Sequence, residues 1–276
     1  DNMINVLSLG AGVQSSTLAM MFAKGELKPM PDFAVFADTQ GEPKAVYQWL
    51  DWLETQLPYP VYRISKGNLA EEAIRVRTSK VTGKKYIGGS TIPVFLFKNG
   101  IRKGFLPRGC TNDFKIKPIR TFLRRHCKIK NKETAVQINL MLGISTDEAT
   151  RMKPSQVEWI KHIFPLIDNN ISRSDCLQWF KNNSLKLPPR SACIFCPYHS
   201  VSFWKDLKEN SPDEFNQALE YEQKVKKAYK ETDEFEDDIY DVSIHQYNDL
   251  KNVTVKKEKH EQLDLFTGEC EGMCGV

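Results

Sequence analysis

The chain reads as an α/β protein with a doubly wound, mostly parallel sheet, followed by a helical C-terminal extension and a mobile, Cys-ended tail. Three observations predict this. Short apolar runs at residues 4–8, 32–37 and 61–64 have the near-continuous hydrophobicity of strands buried on both faces. The segments between them repeat apolar residues at helical spacing, and that alternation builds parallel βαβ units. Small residues cluster where the first strand ends, the place at which such sheets bind ligands.

Each element follows in order. Residues 4–8 (INVLS) form the first strand, and 15–24 a helix with Leu18, Ala19, Met21 and Phe22 apolar. A Gly- and Pro-containing break at 25–31 precedes the second strand, 32–37 (DFAVFA). Pro43 stands at a helix start, and Val46, Leu50, Leu53 and Leu57 carry the helical repeat. Residues 61–64 give a third strand. Beyond it, 75–86 with Gly88 and Gly89 reads as a mobile basic loop, 92–97 as a short strand, 116–126 as a basic helix and 136–142 as a buried strand stopped by Gly143. A helix is expected over 175–182, then a rigid Leu-Pro-Pro-Arg loop that delivers a Cys-x-x-Cys. From Val201 the pattern is helical, with Phe203, Trp204 and Leu207 on one face and a Glu/Lys-rich helix over 213–229. The expected partition is a nucleotide-binding domain over 3–200 carrying the cysteines, a helical extension over 201–248 and a flexible tail over 249–276.

A chain of 276 residues with 41% hydrophobic residues can bury one large core or two smaller ones, as a globular enzyme does. No window approaches the roughly 18 apolar residues of a membrane span, so no membrane association is expected. Asp1-Asn2 read as a remnant before Met3, with no secretory signal, which makes a cytoplasmic protein the expectation. In a reducing compartment the seven cysteines are better suited to metal ligation, catalysis or burial than to disulfides. The net charge of +4 is unevenly spread: residues 98–132 hold twelve Lys or Arg against one acid, Asp113, whereas 209–241 is acidic. Such asymmetry suits a phosphate- or polyanion-binding face.

Unobstructed backbone N–H groups at a strand-to-helix turn make an anion cradle, and the helix dipole reinforces it. Ser8, Gly10, Ala11, Gly12, Ser15 and Ser16 supply that chemistry. The spacing is neither G-x-G-x-x-G nor the Lys-ended P-loop, which disfavours a dinucleotide fold and a kinase-type NTPase. The plain alternative is a tight βα turn with a serine cap.

Gly10-Ala11-Gly12-Val13-Gln14-Ser15 resembles the Ser-Gly-Gly-x-Asp-Ser pyrophosphate loop of the adenine nucleotide α-hydrolase (PP-loop) superfamily, and also the Phe-Gly-x-Gln turn of phosphoadenylylsulfate (PAPS) reductases. Phe36-Ala37-Asp38-Thr39-Gln40-Gly41, with Tyr47 after it, resembles the Asp-Thr-Gly strand end of that family. Residues 142–151 resemble its Gly-x-Arg-x-x-Glu-Ser-x-x-Arg loop, and 164–176 its Pro-Leu…Trp-Thr-x-x-Asp-Val segment. The matches are ordered and run over about residues 4–200. The resemblance implies an adenine nucleotide-like α/β fold binding ATP, PAPS or adenylylsulfate, with phosphates on the first turn, adenine near Asp38 and Thr39, and Arg151 and Arg173 as phosphate partners. Two departures weaken metal-assisted ATP cleavage: Gln14 replaces an acid, and the loop holds no Lys.

Cys193-Ile194-Phe195-Cys196-Pro197 has the spacing that lets two thiolates reach one iron or zinc site. Cys110 lies 83 positions earlier, in a context that resembles the Cys-Cys segment of adenylylsulfate reductases, which bind a [4Fe–4S] cluster. Here the pair has become Cys110-Thr111, so three ligands are supplied. The fourth comes from Cys270 or Cys274, or the position is open to sulfide or a thiol; zinc and inert buried thiols are the competing readings. Cys127 and Cys176, on amphipathic helices, read as core. The end, Gly268-Glu269-Cys270-Glu271-Gly272-Met273-Cys274, resembles the Glu-Cys-Gly tail whose thiol attacks sulfur in sulfonucleotide reductases, which makes Cys270 and Cys274 candidate nucleophiles while Cys274 doubles as candidate ligand.

Arg108 and Lys115 flank Cys110 and are expected to hold sulfate or phosphate, whereas His199 is expected at the surface and the tryptophans in the core. Two activities follow from the resemblance: a PAPS or adenylylsulfate reductase fed by a thiol or dithiol donor, or an ATP-dependent sulfurtransferase acting on a small molecule or on a nucleic acid held by 98–132. A zinc-stabilised, non-catalytic nucleic-acid-binding subunit is the reading from another class. A homodimer is compatible with each.

Overall fold

The alternation read in the first 65 residues closes into a parallel sheet in the computed structural model, which describes residues 3–88, 92–235, 240–246 and 249–253. In chain order the elements are β1 Ile4–Ser8, α1 Val13–Ala23, β2 Phe33–Asp38, α2 Lys44–Gln56, β3 Val61–Ser65, α3 Leu69–Glu72, β4 Val76–Thr78, β5 Lys85–Ile87, β6 Phe95–Lys98, β7 Ile101–Phe105, α4 Lys117–His126, β8 Ile138–Leu142, β9 Ile160–Ile163, α5 Pro165–Asp168, α6 Arg173–Asn182, α7 Val201–Asn210, α8 Pro212–Lys230 and β10 Tyr240–Ser243. They fall into two compact units: residues 3–66 with 111–192, and 67–110 with the described residues from 193 onward.

The first unit holds a five-stranded sheet in the order β3-β2-β1-β8-β9, every neighbouring pair parallel. Successive residues of a strand face opposite sides, and both sides are buried. Leu7, Ala34, Phe36 and Met141 join one core with Leu18 and Phe22 of α1, Leu50 of α2 and Phe180 of α6. Val6, Val35, Leu140 and Leu142 join the other with Ile119 and Leu123 of α4. The sheet is therefore doubly wound. Cys176 belongs to the first core, and Cys127 packs against the second. The basic helix begins as a wider π-helical turn, Asn112–Ile116, which buries Phe114, Lys115 and Ile116.

The second unit holds an antiparallel sheet, β10-β6-β7, a two-stranded hairpin, β4-β5, and the pair α7 and α8. Two expectations are corrected here. Residues 75–86 were expected as a loop and instead form most of the hairpin, with Val76 opposite Ile87 and Thr78 opposite Lys85. The extension also contributes β10, which pairs with β6 from Tyr240↔Lys98 to Ser243↔Phe95. No helix among the described residues is long and apolar enough to cross a membrane.

Candidate functional site

β1 and β8 are neighbours in the middle of the sheet, and the chain leaves them in opposite directions across it. In open α/β sheets the crevice beyond the carboxyl ends at such a point is where ligands bind. The turn after β1 sits there. Leu9 N–H continues the ladder to Val35 O at 2.9 Å, and Gly10 N–H donates to Ser15 Oγ at 3.1 Å. Ala11 takes a left-handed conformation, φ 60°, which costs an L-residue about 1–2 kcal/mol and persists because the turn is buried. Gly12 caps α1 with no side-chain acceptor, so backbone alone shapes the helix start.

Side chains then tie this turn to the segment after β8. Gln14 Nε2 donates to Glu148 Oε2 at 3.2 Å and to Ser145 Oγ at 3.5 Å. Glu148 Oε1 in turn meets Arg151 Nη1 at 2.5 Å. Gln14 thus links the two sides of the crevice by hydrogen bonds. Arg173, at the start of α6, anchors to the same region through its N–H, donated to Asp147 Oδ1 at 2.9 Å. Ser16 Oγ accepts from Trp49 Nε1 at 2.9 Å, and Ser8 Oγ is buried with no hydrogen-bond partner among the described residues.

Beyond β2, Asp38 Oδ1 accepts from Gln40 N–H at 2.7 Å and Tyr47 O–H at 2.8 Å. Burial, then the hydrogen bond and charge of Asp38, push the Tyr47 phenol well above its ordinary range. Thr39 is buried beside it. Glu42 and Lys115 are each only 4% exposed, and their carboxylate and ammonium stand 3.7 Å apart. Ser191 Oγ donates to Gly10 O at 2.5 Å, with Glu42 Oε2 as a second, longer acceptor at 3.3 Å.

The second unit carries Arg108, Cys110, Cys193 and Cys196. The Cys-x-x-Cys forms a tight turn: Cys193 O accepts Cys196 N–H at 2.9 Å and His199 Nε2 at 2.8 Å. His199, expected at the surface, is instead 5% exposed and stacked on Phe203 at 3.6 Å. Phe203 and Trp204, four and five residues further on, cover it, and its ring proton braces the turn. Phe195 lies 4.5 Å from Tyr221, and Arg108 caps the Tyr198 ring at 5.2 Å. The Tyr221 hydroxyl is raised by burial and further by the charges of Tyr229, Cys193 and Cys110. Tyr198 is raised by burial; the Arg108 charge opposes this, and Cys196 and Cys110 add to it. Cys110 thus acts on both phenols, Cys193 on Tyr221 and Cys196 on Tyr198.

Three thiols of this kind suit iron–sulfur or zinc chemistry. The buried Tyr221 O–H, without a hydrogen-bond acceptor among the described residues, is the sort of donor a sulfur-rich centre would use. Against this, no three His, Cys, Asp or Glu among the described residues stand in a ligating arrangement. Cys270 and Cys274 lie outside the described residues.

Of the other expected site residues, Ser8, Gly10, Ala11, Gly12, Gln14, Ser15, Ser16, Asp38, Thr39, Lys115, Arg151 and Arg173 all fall in the first unit. Glu42, Ser191 and Tyr221 are additions, as is the use of Ser145 and Glu148 within the 142–151 stretch.

No family model matches the chain, and no curated protein sequence matches it. Among solved structures it is similar to phosphoadenylyl-sulfate (PAPS) reductase from Candida auris in its phosphate complex, at 13% identity and TM-score 0.40, over 68% of this chain and 75% of that one. It is also similar to the U34-tRNA thiolase NcsA from Methanococcus maripaludis with its [4Fe-4S] cluster, at 16% identity and TM-score 0.39, over 82% of this chain and 73% of that one.

Proposed function

We propose that the protein is an enzyme that binds an adenine nucleotide on the turn from Gly10 to Ser16 and performs sulfur chemistry with it, in the manner of a PAPS or adenylylsulfate reductase. The observation that carries this reading is the position of the turn: an uncapped helix start at the switch point of a parallel sheet, tied by Gln14 to Ser145 and Glu148. Arg151 and Arg173 stand on the segments that meet it and are the cations for phosphate or sulfate. In the second unit, Cys110, Cys193 and Cys196 are the residues that would hold a [4Fe–4S] cluster, which would supply iron–thiolate redox or Lewis-acid chemistry, although among the described residues they do not stand in a ligating arrangement. Cys274 is the candidate fourth ligand. Zinc on the same thiols is the structural alternative.

The reaction balances with two thiols. A thiolate from Cys270 or Cys274 attacks the sulfur of the sulfonucleotide, the S–O bond to the nucleotide phosphate breaks, and the nucleotide leaves with the electron pair. A second thiol, from a dithiol donor, attacks the resulting S-sulfocysteine at its cysteinyl sulfur, releasing sulfite and forming a disulfide, so the thiols are oxidised as sulfur is reduced.

A second reading, ATP-dependent thiolation of a nucleic acid, is favoured by exposed Lys117 and Arg125 on α4. Incubation with ATP, PAPS and adenylylsulfate decides between them: sulfite release supports the reductase, pyrophosphate release the transferase, and neither product overturns both. Anaerobic iron, sulfide and zinc analysis of wild type against Cys110→Ala, Cys193→Ala and Cys274→Ala tests the thiol centre.

A further inference from the structure

We infer that the hairpin β4-β5 is a docking element for double-helical DNA, with the ribbon lying in the major groove and the lysines beside its tip on backbone phosphates. The inference rests on neither reading of the reaction. Residues 75–86 hold five cations, Arg75, Arg77, Lys80, Lys84 and Lys85, and no acid. Acidic partners meet this stretch at its base, where Arg75 and Arg77 share Glu72 at 3.0 and 2.5 Å and where Asp233 and Glu234 bind amides of β5. Lys80 and Lys84 stand on either side of the tip, where a polyanion would meet them first.

Shape is the second observation. Arg77 and Thr78 on β4, and Lys85 and Tyr86 on β5, are all exposed. Successive strand residues face opposite sides, so both faces of the ribbon meet water and the hairpin stands off its unit. Val81 at the tip is 94% exposed. The hairpin is nonetheless braced at both ends. At the tip, Ser79 Oγ accepts Val81 N–H at 3.3 Å and Thr82 N–H at 3.1 Å, Gly83 N–H donates to Ser79 O at 2.9 Å, and Gly83 takes the left-handed φ of 71° that the turn requires. At the base, Lys85 N–H donates to Asp233 Oδ2 at 2.6 Å, Asp233 N–H returns to Lys85 O at 2.8 Å, and Ile87 N–H donates to Glu234 Oε1 at 3.2 Å. A ribbon held in this way has little ordering entropy to lose when it docks.

Width and composition select the partner. The major groove of B-form DNA, about 12 Å wide, admits a two-stranded ribbon, whereas the deep, narrow major groove of an RNA helix does not let side chains in. Single strands are held by a series of aromatic platforms, and Tyr86 is the one aromatic residue of the hairpin. In the groove of a DNA duplex the lysines reach phosphates, which supply most of the affinity without reading sequence. Val81 and Thr82 bring methyl groups to the base edges, where a thymine methyl is the apolar contact.

The test uses the full-length protein without nucleotide and a short, labelled DNA duplex, followed by fluorescence anisotropy between about 50 and about 200 mM salt. Wild type should bind, with log affinity falling linearly against log salt. The double variant Lys80→Ala, Lys84→Ala changes two exposed side chains and should unfold at the wild-type temperature. It should bind the duplex about tenfold more weakly, with the salt slope smaller by about 2, the loss of two phosphate contacts. Lys80→Arg with Lys84→Arg, which keeps both charges, should retain affinity and slope. No duplex binding by wild type, an unchanged slope in the alanine variant, or equal affinity for an RNA duplex or for poly-glutamate overturns the inference. Sulfite and pyrophosphate release are separate assays, so the reaction stands or falls independently of this result.

Discussion

Trp49 and Ser16, 33 positions apart, are joined by an indole N–H donated to a buried hydroxyl at 2.9 Å, so α2 helps to hold the start of α1 in place. Trp49→Phe keeps a ring against Trp52 and Phe180 but removes the donor and part of the ring volume. It should cost about 2 kcal/mol in urea unfolding, whereas Trp49→Ala should cost about 3–5 kcal/mol. Equal losses in the two variants would show that the hydrogen bond carries the interaction.

The Glu148–Arg151 pair should respond asymmetrically. Arg151→Met leaves a carboxylate that is 9% exposed without its cation, at a cost of about 2–3 kcal/mol. Glu148→Gln removes one partner of a guanidinium that is 23% exposed and can turn toward water, and should cost about 1 kcal/mol. Thermal unfolding of both, with the double variant closing the cycle, measures the difference.

Two buried groups in the second unit should nearly cancel in acid. Burial raises Glu222 from 4.5 to about 7, despite bonds from Ser243 Oγ and Leu250 N–H and the nearby Lys226. Its contribution is present below 4.5 and lost as pH rises toward 7. Burial lowers His245 from 6.5 to about 4; its contribution is present above 6.5 and lost as pH falls toward 4. Between pH 4.5 and 6.5 the two slopes oppose each other. Glu222→Gln should therefore expose a stability that falls on acidification, and His245→Asn one that falls on alkalinisation. Parallel pH profiles for the two variants would contradict these assignments.

Cys127 should be a slow thiol. Burial first, and the Asp32 charge second, push it up to about 11, so at pH 8 about one molecule in a thousand carries the thiolate. Alkylation at pH 8 and pH 10 should show its rate rising with pH across the whole interval. A plateau below pH 9 would refute the shift.

The first half of the fold was legible because its strands are buried on both faces and its helices repeat at a period that sequence displays. β4 and β5 were hidden by composition: Arg77, Thr78, Lys85 and Tyr86 face water, so only Ile87 marks a core side. β7 (IRKGF) has its first three residues exposed, and β9 (IKHI) is too short for alternation to stand out. The tight turn from β1 into α1 was readable from its small residues. Glu42 and Ser191 were not, since each is a single polar residue whose role depends on partners more than 70 positions away. Tyr221 lies on a Glu/Lys-rich amphipathic helix, where an inward phenol reads as ordinary core. His199 looked like a surface residue because it precedes the helix that begins at Val201, so helical periodicity does not place it on the face of Phe203 and Trp204, on which its ring packs.

The antiparallel pairing of β10 with β6 has a practical consequence for anyone shortening the gene. A product ending near residue 200 would contain β6 and β7 but not the strand that covers the outer rim of β6. That rim would present bare amides and carbonyls beside Phe95 and Phe97, a template for intermolecular strand addition. Such a truncate should precipitate even though every residue of the turn from Gly10 to Ser16 is still present.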